Sequence, residues 1–312
     1  MIASIVMLAA LSASETILQK VDERLAVADP VDGMARFVDY SKGAPDDRFA
    51  ANPKFWGKGI DFSCASPWNG AGGSQRAGTL ISKRHIVFAN HFPIPNGTRL
   101  VFVGEDGGVC PCYMEKSVHI KHSDIVIGLL NAEVTPNIRP AKILPTDYEL
   151  HIGDGQGLPV VTMNQREEAL LGALEAIPTN GTPWRTMGSY KRNDVRWARL
   201  EKGIGGGDSG NPAFLLVGNE LVLLYCLTNR GTKNMGNGGA LHLFRREIQA
   251  AMDELCPGYK LEEFDFSRLI ERNKPAFRSS RATSVLWARG AGIGGSLGDW
   301  DARVCPNRRL PP

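Results

Sequence analysis

The sequence predicts an all-β fold, a sandwich or a pair of barrels, closed by one C-terminal helix. Short apolar runs of strand composition recur with turn signals about every eight to twelve residues. They fall into two sets separated by the Pro-containing connector Pro136–Pro145. The chain also holds 35 Gly and 19 Pro in 312 residues, which suits loop-rich β structure better than helices. No repeat of roughly 20–50 residues runs through it.

Composition bounds the rest. With 43% hydrophobic residues the chain can bury a sizeable core, as one large or two ordinary domains. Its 36 Lys and Arg against 33 Asp and Glu leave a net charge of +3, too small an excess to imply nucleic-acid or membrane binding.

Taken in order, Ile2–Ala13 is an apolar run of signal-peptide length with small residues after it, so residues 1–13 are expected to be an export signal, although no Lys or Arg precedes them. A buried N-terminal helix is the alternative. Residues 14–61 read as a lead-in or pro-segment, with a helix over Glu15–Val27 because Ile17, Val21 and Leu25 share a helical face. Residues 62–255 form the expected domain, with halves at about 62–145 and 146–255. The first set of strands is Arg76–Ile81, His85–Ala89, Arg99–Val103, Ser117–Lys121 and Ile125–Leu130. The second opens with Pro159–Met163 and Leu170–Ile177, the latter also compatible with a helix. Val195–Leu200 leads into a glycine run. Ala213–Val217 and Leu221–Leu227 flank Gly218-Asn219, a hairpin turn in which both residues tolerate positive φ. Gly239–Leu243 is a last strand, and Arg245–Leu255 is an amphipathic closing helix with Ile248, Met252 and Leu255 on one face. Residues 256–312 are a basic extension.

The chemistry centres on Gly205-Gly206-Gly207-Asp208-Ser209-Gly210-Asn211-Pro212. Glycines allow positive φ and close approach of another molecule to the backbone. A hydroxyl beside converging N–H groups suits acyl transfer through a tetrahedral oxyanion. Such a serine needs a base and a group to orient it. His91 lies in Leu80–Phe92 (LISKRHIVFANHF), and Asp124 heads the apolar run in HSDIVIGLL. Asp106, the rival acid, lies in a Gly-rich turn.

In order and local context these motifs resemble the trypsin/chymotrypsin-like serine proteases, in which His, Asp and Ser follow one another along the chain. The resemblance covers roughly Gly72 to Leu255. It implies two antiparallel six-stranded β-barrels with the site between them, His91 and Asp124 coming from the first barrel and Ser209 from the second. It further implies Ser209 as nucleophile, His91 as general base and acid, Asp124 as its orienting group, and the N–H groups of Gly207 and Ser209 as the oxyanion hole. Gly203 would lie at the floor of the substrate pocket, and with no Asp there a preference for Arg or Lys is not expected. Thr228 would begin the strand that pairs with substrate, and Arg230 would narrow the pocket or meet an acidic group.

The chain departs from the family pattern in three places. Phe92 stands where many animal members carry a cysteine. Asn211 replaces the usual glycine. No Ile-Val-Gly-Gly-like new N-terminus precedes the first barrel, so Asp208 must find a partner other than a liberated amine.

Six cysteines, Cys64, Cys110, Cys112, Cys226, Cys256 and Cys305, are compatible with disulfides outside the cytosol, with Cys226 placed as a buried free thiol. Cys110-Pro-Cys112 with His119 and His122 lacks zinc-site spacing and reads as disulfide partners beside surface histidines. The glycines Gly290, Gly292 and Gly295 fit a dinucleotide fingerprint in spelling only, since no helix can follow. Asn96-Gly-Thr98 and Asn180-Gly-Thr182 are first of all turn signals. The expectation is thus a secreted or periplasmic serine endopeptidase acting on proteins or peptides without metal or cofactor. It would bind no nucleic acid and keep no integral membrane segment after signal removal. A non-catalytic binding protein on the same fold is the rival; an esterase lacks its G-x-S-x-G elbow at Asn211.

Overall fold

A computed structural model describes residues 2–28, 33–41, 48–66, 76–180, 185–229 and 234–267. Arg230, the tail beyond residue 267 with Cys305 and its glycine motif, and the side chains of residues 2–12 lie outside the described part.

The chain opens with helix α1 (Ile2–Val27), whose Ala13, Ile17, Val21 and Leu25 are buried, as their spacing requires. Arg24 fixes its C-terminal end by donating to the carbonyls of Trp56 and Lys58 and to Asn219 Oδ1. The lead-in then forms a hairpin of β1 (Phe37–Ser41) and β2 (Arg48–Ala51), absent from the sequence reading because it shows no sustained period.

The first half is a six-stranded sheet, antiparallel at every pairing. Its strands are β3 (Ala65–Ser66), β4 (Gly78–Leu80), β5 (His85–Ala89), β6 (Arg99–Val103), β7 (Val109–His119) and β8 (Ile125–Leu130), in spatial order β3-β4-β5-β8-β7-β6. The sheet curls until its two edges meet, where the Val101 N–H donates to Ser66 Oγ at 3.2 Å, so that it is nearly closed.

The second half is a seven-stranded sheet. The connector supplies β9 (Lys142–Ile143) and a short helix α2 (Tyr148–Ile152). Then come β10 (Pro159–Met163), β11 (Ala169–Leu174), β12 (Thr186–Tyr190), helix α3 (Val195–Ala198), β13 (Pro212–Val217), β14 (Glu220–Cys226) and β15 (Asn234–Gly239). The order is β15-β12-β11-β10-β13-β14-β9, antiparallel except where β9 runs parallel to β14. Beyond β14, Asn229 bridges to Asn237 of β15 and Thr228 N–H donates to the Asn237 carbonyl, bringing this sheet's far edge back toward β14. Helix α4 (Arg245–Leu255) closes the fold with Ile248, Ala251, Met252 and Leu255 buried. No helix among the described residues is long and apolar enough to cross a membrane.

Three expectations need correction. The segment read as a last strand, Gly239–Leu243, is a 3₁₀ turn over Leu241–Phe244; the strand lies just upstream, in Asn234–Gly239, where glycines hide the signal. The strand read over Ser117–Lys121 is the end of a longer one beginning at Val109, whose Pro and charged residues mask the alternation. Cys64, Cys110 and Cys112 are free and buried, not bridged, whereas Cys226 is the buried free thiol expected of it. Cys110 and Cys112 lie two apart on one strand face with their Sγ atoms 4.0 Å apart, as thiols within the core. Cys256 is disulfide-bonded.

Candidate active site

Sheet register brings the first two site residues together. Strands β5 and β8 pair with Ala89 opposite Ile125, so the residues just past one strand and just before the other become neighbours. Asn90 N–H donates to the Asp124 carbonyl at 3.0 Å. His91 N–H donates to Asp124 Oδ1 at 2.8 Å, and the imidazole Nδ1 lies 2.7 Å from Asp124 Oδ2. A carboxylate can only accept at that distance, so the proton sits on Nδ1 and the Nε2 lone pair is left facing outward. That lone pair faces Ser209 Oγ at 2.8 Å. The imidazole is 43% exposed and the Asp124 carboxylate 20%, so the ring is open to solvent while the carboxylate is more sheltered.

Ser209 reaches this point on the loop that precedes β13 in the other sheet. Two anchors hold the loop's far side: Gly210 N–H donates to the Leu227 carbonyl at 2.8 Å, and Leu227 N–H to the Asn211 carbonyl at 2.8 Å. Gly210 has φ +85°, and a Cβ there would stand 3.0 Å from the Ala77 carbonyl oxygen, so glycine is required twice over. Asn211 has its own role. Its side-chain Nδ2 donates to the Asp208 carbonyl at 3.0 Å, tightening the turn around the serine.

Asp208 is buried, and among the described residues its carboxylate meets no cation. Instead Oδ2 accepts from the Gly205 N–H at 2.6 Å and Oδ1 from the Gln165 N–H at 3.1 Å. Gln165 lies in the turn between β10 and β11. These two amides are the partners that Asp208 finds among the described residues. Gly207 has φ +95°, which turns the loop so that, among the described residues, the N–H groups of Gly207 and Ser209 donate to no protein acceptor. Two such free donors beside a hydroxyl can receive a developing negative charge.

The residues expected at a substrate pocket are placed less completely. Gly203 is exposed at the loop's entrance, and Thr228 is half-buried beyond β14 with its N–H committed to the Asn237 carbonyl. Between them Ile204 is buried, and a Cβ on Gly236 would collide with Ile204 Cδ1 at 2.5 Å and Leu227 Cδ2 at 2.4 Å. This wall is apolar and filled. Ile204, Gly236 and Gln165 were missed by sequence reasoning; a buried aliphatic residue amid the glycines was the one signal for the first.

Beneath the site the Cys226 thiol sits within 3.8 Å of the Val87 carbonyl, and burial, with the Asp124 charge second, pushes its pKa well up. It is therefore a neutral packing group. Among the described residues no three His, Cys, Asp or Glu side chains converge to hold a metal ion. No protein-family model matches the chain, and no curated protein matches it.

Proposed function

We propose that this protein is a serine endopeptidase of trypsin-like architecture, its six-stranded and seven-stranded sheets serving as the two barrels, which hydrolyses peptide bonds through an acyl-enzyme. The single observation that carries this reading is the unbroken chain Asp124–His91–Ser209, with contacts of 2.7 and 2.8 Å. A serine hydroxyl is a poor nucleophile until an adjacent imidazole takes its proton, and the free Nε2 lone pair stands where it can do so.

In the first step Ser209 Oγ bonds to the scissile carbonyl carbon as its proton passes to His91 Nε2. The imidazolium formed is stabilised by Asp124. The carbonyl oxygen, now an oxyanion, is received by the Gly207 and Ser209 N–H groups, each such donor being typically worth about 3–4 kcal/mol in the transition state. Collapse expels the amine, which takes the proton back from His91. Water, deprotonated by the same imidazole, then releases the acid and restores Ser209. These residues accomplish the whole cycle, with no cofactor in the scheme.

Protein or peptide is the substrate class proposed, without nucleic acid. Export from the cytosol is proposed on the apolar run Ile2–Ala13. The apolar wall of Ile204 beside Gly203, with no acidic side chain at Gly203, favours a small uncharged side chain at the cleaved bond. Digestion of a proteome-derived peptide library tests both claims. Cleavages present with the wild type and absent with Ser209→Ala are expected. A strong preference for basic or large aromatic side chains would contradict the pocket reading, and identical digests from both proteins would contradict the assignment of the nucleophile.

A further inference from the structure

The loop that presents Ser209 is held from the turn between β10 and β11. Asp208, whose carboxylate sets the loop, takes one of its two N–H donors from Gln165. The side chain of Gln165 touches the same loop. A Cβ built on Gly207 would fall 1.9 Å from Gln165 Nε2, so the amide covers that face of the glycine supplying one free N–H. Gln165 thus grips the loop by backbone and side chain together.

The turn carrying Gln165 is itself held by side-chain contacts. Asn164 Oδ1 accepts from the N–H groups of Arg166 and Glu168 at 2.9 and 3.1 Å, and its Nδ2 donates to Glu168 Oε2 at 2.6 Å. Lys202 Nζ binds the same Glu168 carboxylate at 2.7 Å, tying the turn to the residues that enter the glycine loop. Glu167 occupies φ +56°, a strained conformation for a residue with a side chain, and is almost fully buried.

What holds Glu167 there comes from the lead-in. Arg36 N–H donates to the Glu167 carbonyl at 2.8 Å, Ala169 N–H donates to the Met34 carbonyl at 2.9 Å, and Ala35 bridges Glu168. The Arg36 guanidinium is buried with Nη1 3.8 Å from Glu167 Oε2, while Nη2 donates to the Val103 carbonyl at the end of β6 at 2.8 Å. One side chain thereby joins the six-stranded sheet to the turn that steadies the serine loop.

We propose that Arg36 and Gln165 are positioning residues for the Ser209 site, and that the segment Met34–Phe37 is a permanent part of the catalytic apparatus and not a pro-segment. The uncleaved chain is then competent, and loss of the lead-in silences it. The inference rests on the acyl-transfer reading above.

The test uses the full chain and p-nitrophenyl acetate as substrate, with a fluorophosphonate to count active sites. Gln165→Ala, which keeps the backbone N–H and removes the side chain over Gly207, is expected to lower kcat about 10- to 100-fold, less than outright loss of an oxyanion donor. KM should stay within about 2-fold, the pattern of an interaction felt only in the transition state. Arg36→Met is expected to do the same, and Arg36→Lys, which restores a cation opposite Glu167, to recover about half of the lost ΔΔG‡. Should Arg36→Met fail to fold, Gln165→Ala decides alone. Folded Gln165→Ala with wild-type kcat, or with raised KM and unchanged kcat, would overturn the inference and leave the function standing. A wild type that neither turns over ester nor takes up the fluorophosphonate would overturn both.

Discussion

Both oxygens of the Asp124 carboxylate are engaged by His91, one by its backbone N–H and one by its ring. Replacing Asp124 with Asn keeps the shape but puts an N–H donor or a weaker acceptor against Nδ1, which favours the tautomer with its proton on Nε2, facing Ser209. The expected result is a fall in kcat of order 10⁴ with unchanged thermal stability, read from ester hydrolysis and a melting curve. Other histidines matter for stability. His85 and His242 are both buried, and desolvation holds each at about 4, below the roughly 6.5 of an unfolded chain. The unfolded state then binds more protons between those values. Stability is full above about pH 6.5 and falls as pH drops toward about 4. Denaturation midpoints measured across that window should decline, and the double variant His85→Gln, His242→Gln should flatten the slope. The triad was legible because each member sits in a local motif. Gln165 was not, because it lies 43 positions from Asp208 and meets it only through the pairing of β10 with β13.

At the scale of the element, legibility follows how far a segment's own residues decide its state. His85–Ala89, Arg99–Val103, Ile125–Leu130 and Pro159–Met163 are continuous apolar runs buried at most or all positions, and Arg245–Leu255 carries its own helical stripe. These segments declare themselves. Thr186–Tyr190 and Asn234–Gly239 are made strands by their neighbours, chiefly each other. In the latter, glycine is a packing requirement: a Cβ on Gly238 would stand 1.9 Å from the Cys226 carbonyl oxygen, a backbone atom that cannot swing aside. Gly238→Ala is expected to cost at least about 2 kcal/mol, seen as a lower urea midpoint at unchanged m-value. A midpoint equal to the wild type's would mean that β15 is free to move away from β14.

Across the whole molecule, the site exists only where the two sheets meet: His91 and Asp124 come from one and Ser209 from the other. The order of the motifs made that division visible in the sequence. The docking of the lead-in was hidden, because the contacts that join Arg36 to Glu167 and Val103 are distant in sequence and the Pro residues of this segment break any period. Helix α1 belongs to the folded unit through Ile17, Val21 and Leu25. Val21→Asp, which buries an unpaired carboxylate, is expected to destabilise the protein by several kcal/mol, measured by thermal unfolding, whereas the exposed Val27→Asp should be nearly neutral. The account as a whole turns on whether Ser209 is an activated nucleophile. Fluorophosphonate labelling followed by intact-mass and peptide analysis reads this directly. One adduct per chain, located on Ser209, lost in Ser209→Ala and strongly slowed in His91→Ala, is the predicted result. A folded wild type that stays unlabelled, or an adduct that persists in Ser209→Ala, would contradict it and turn the reading toward a binding protein.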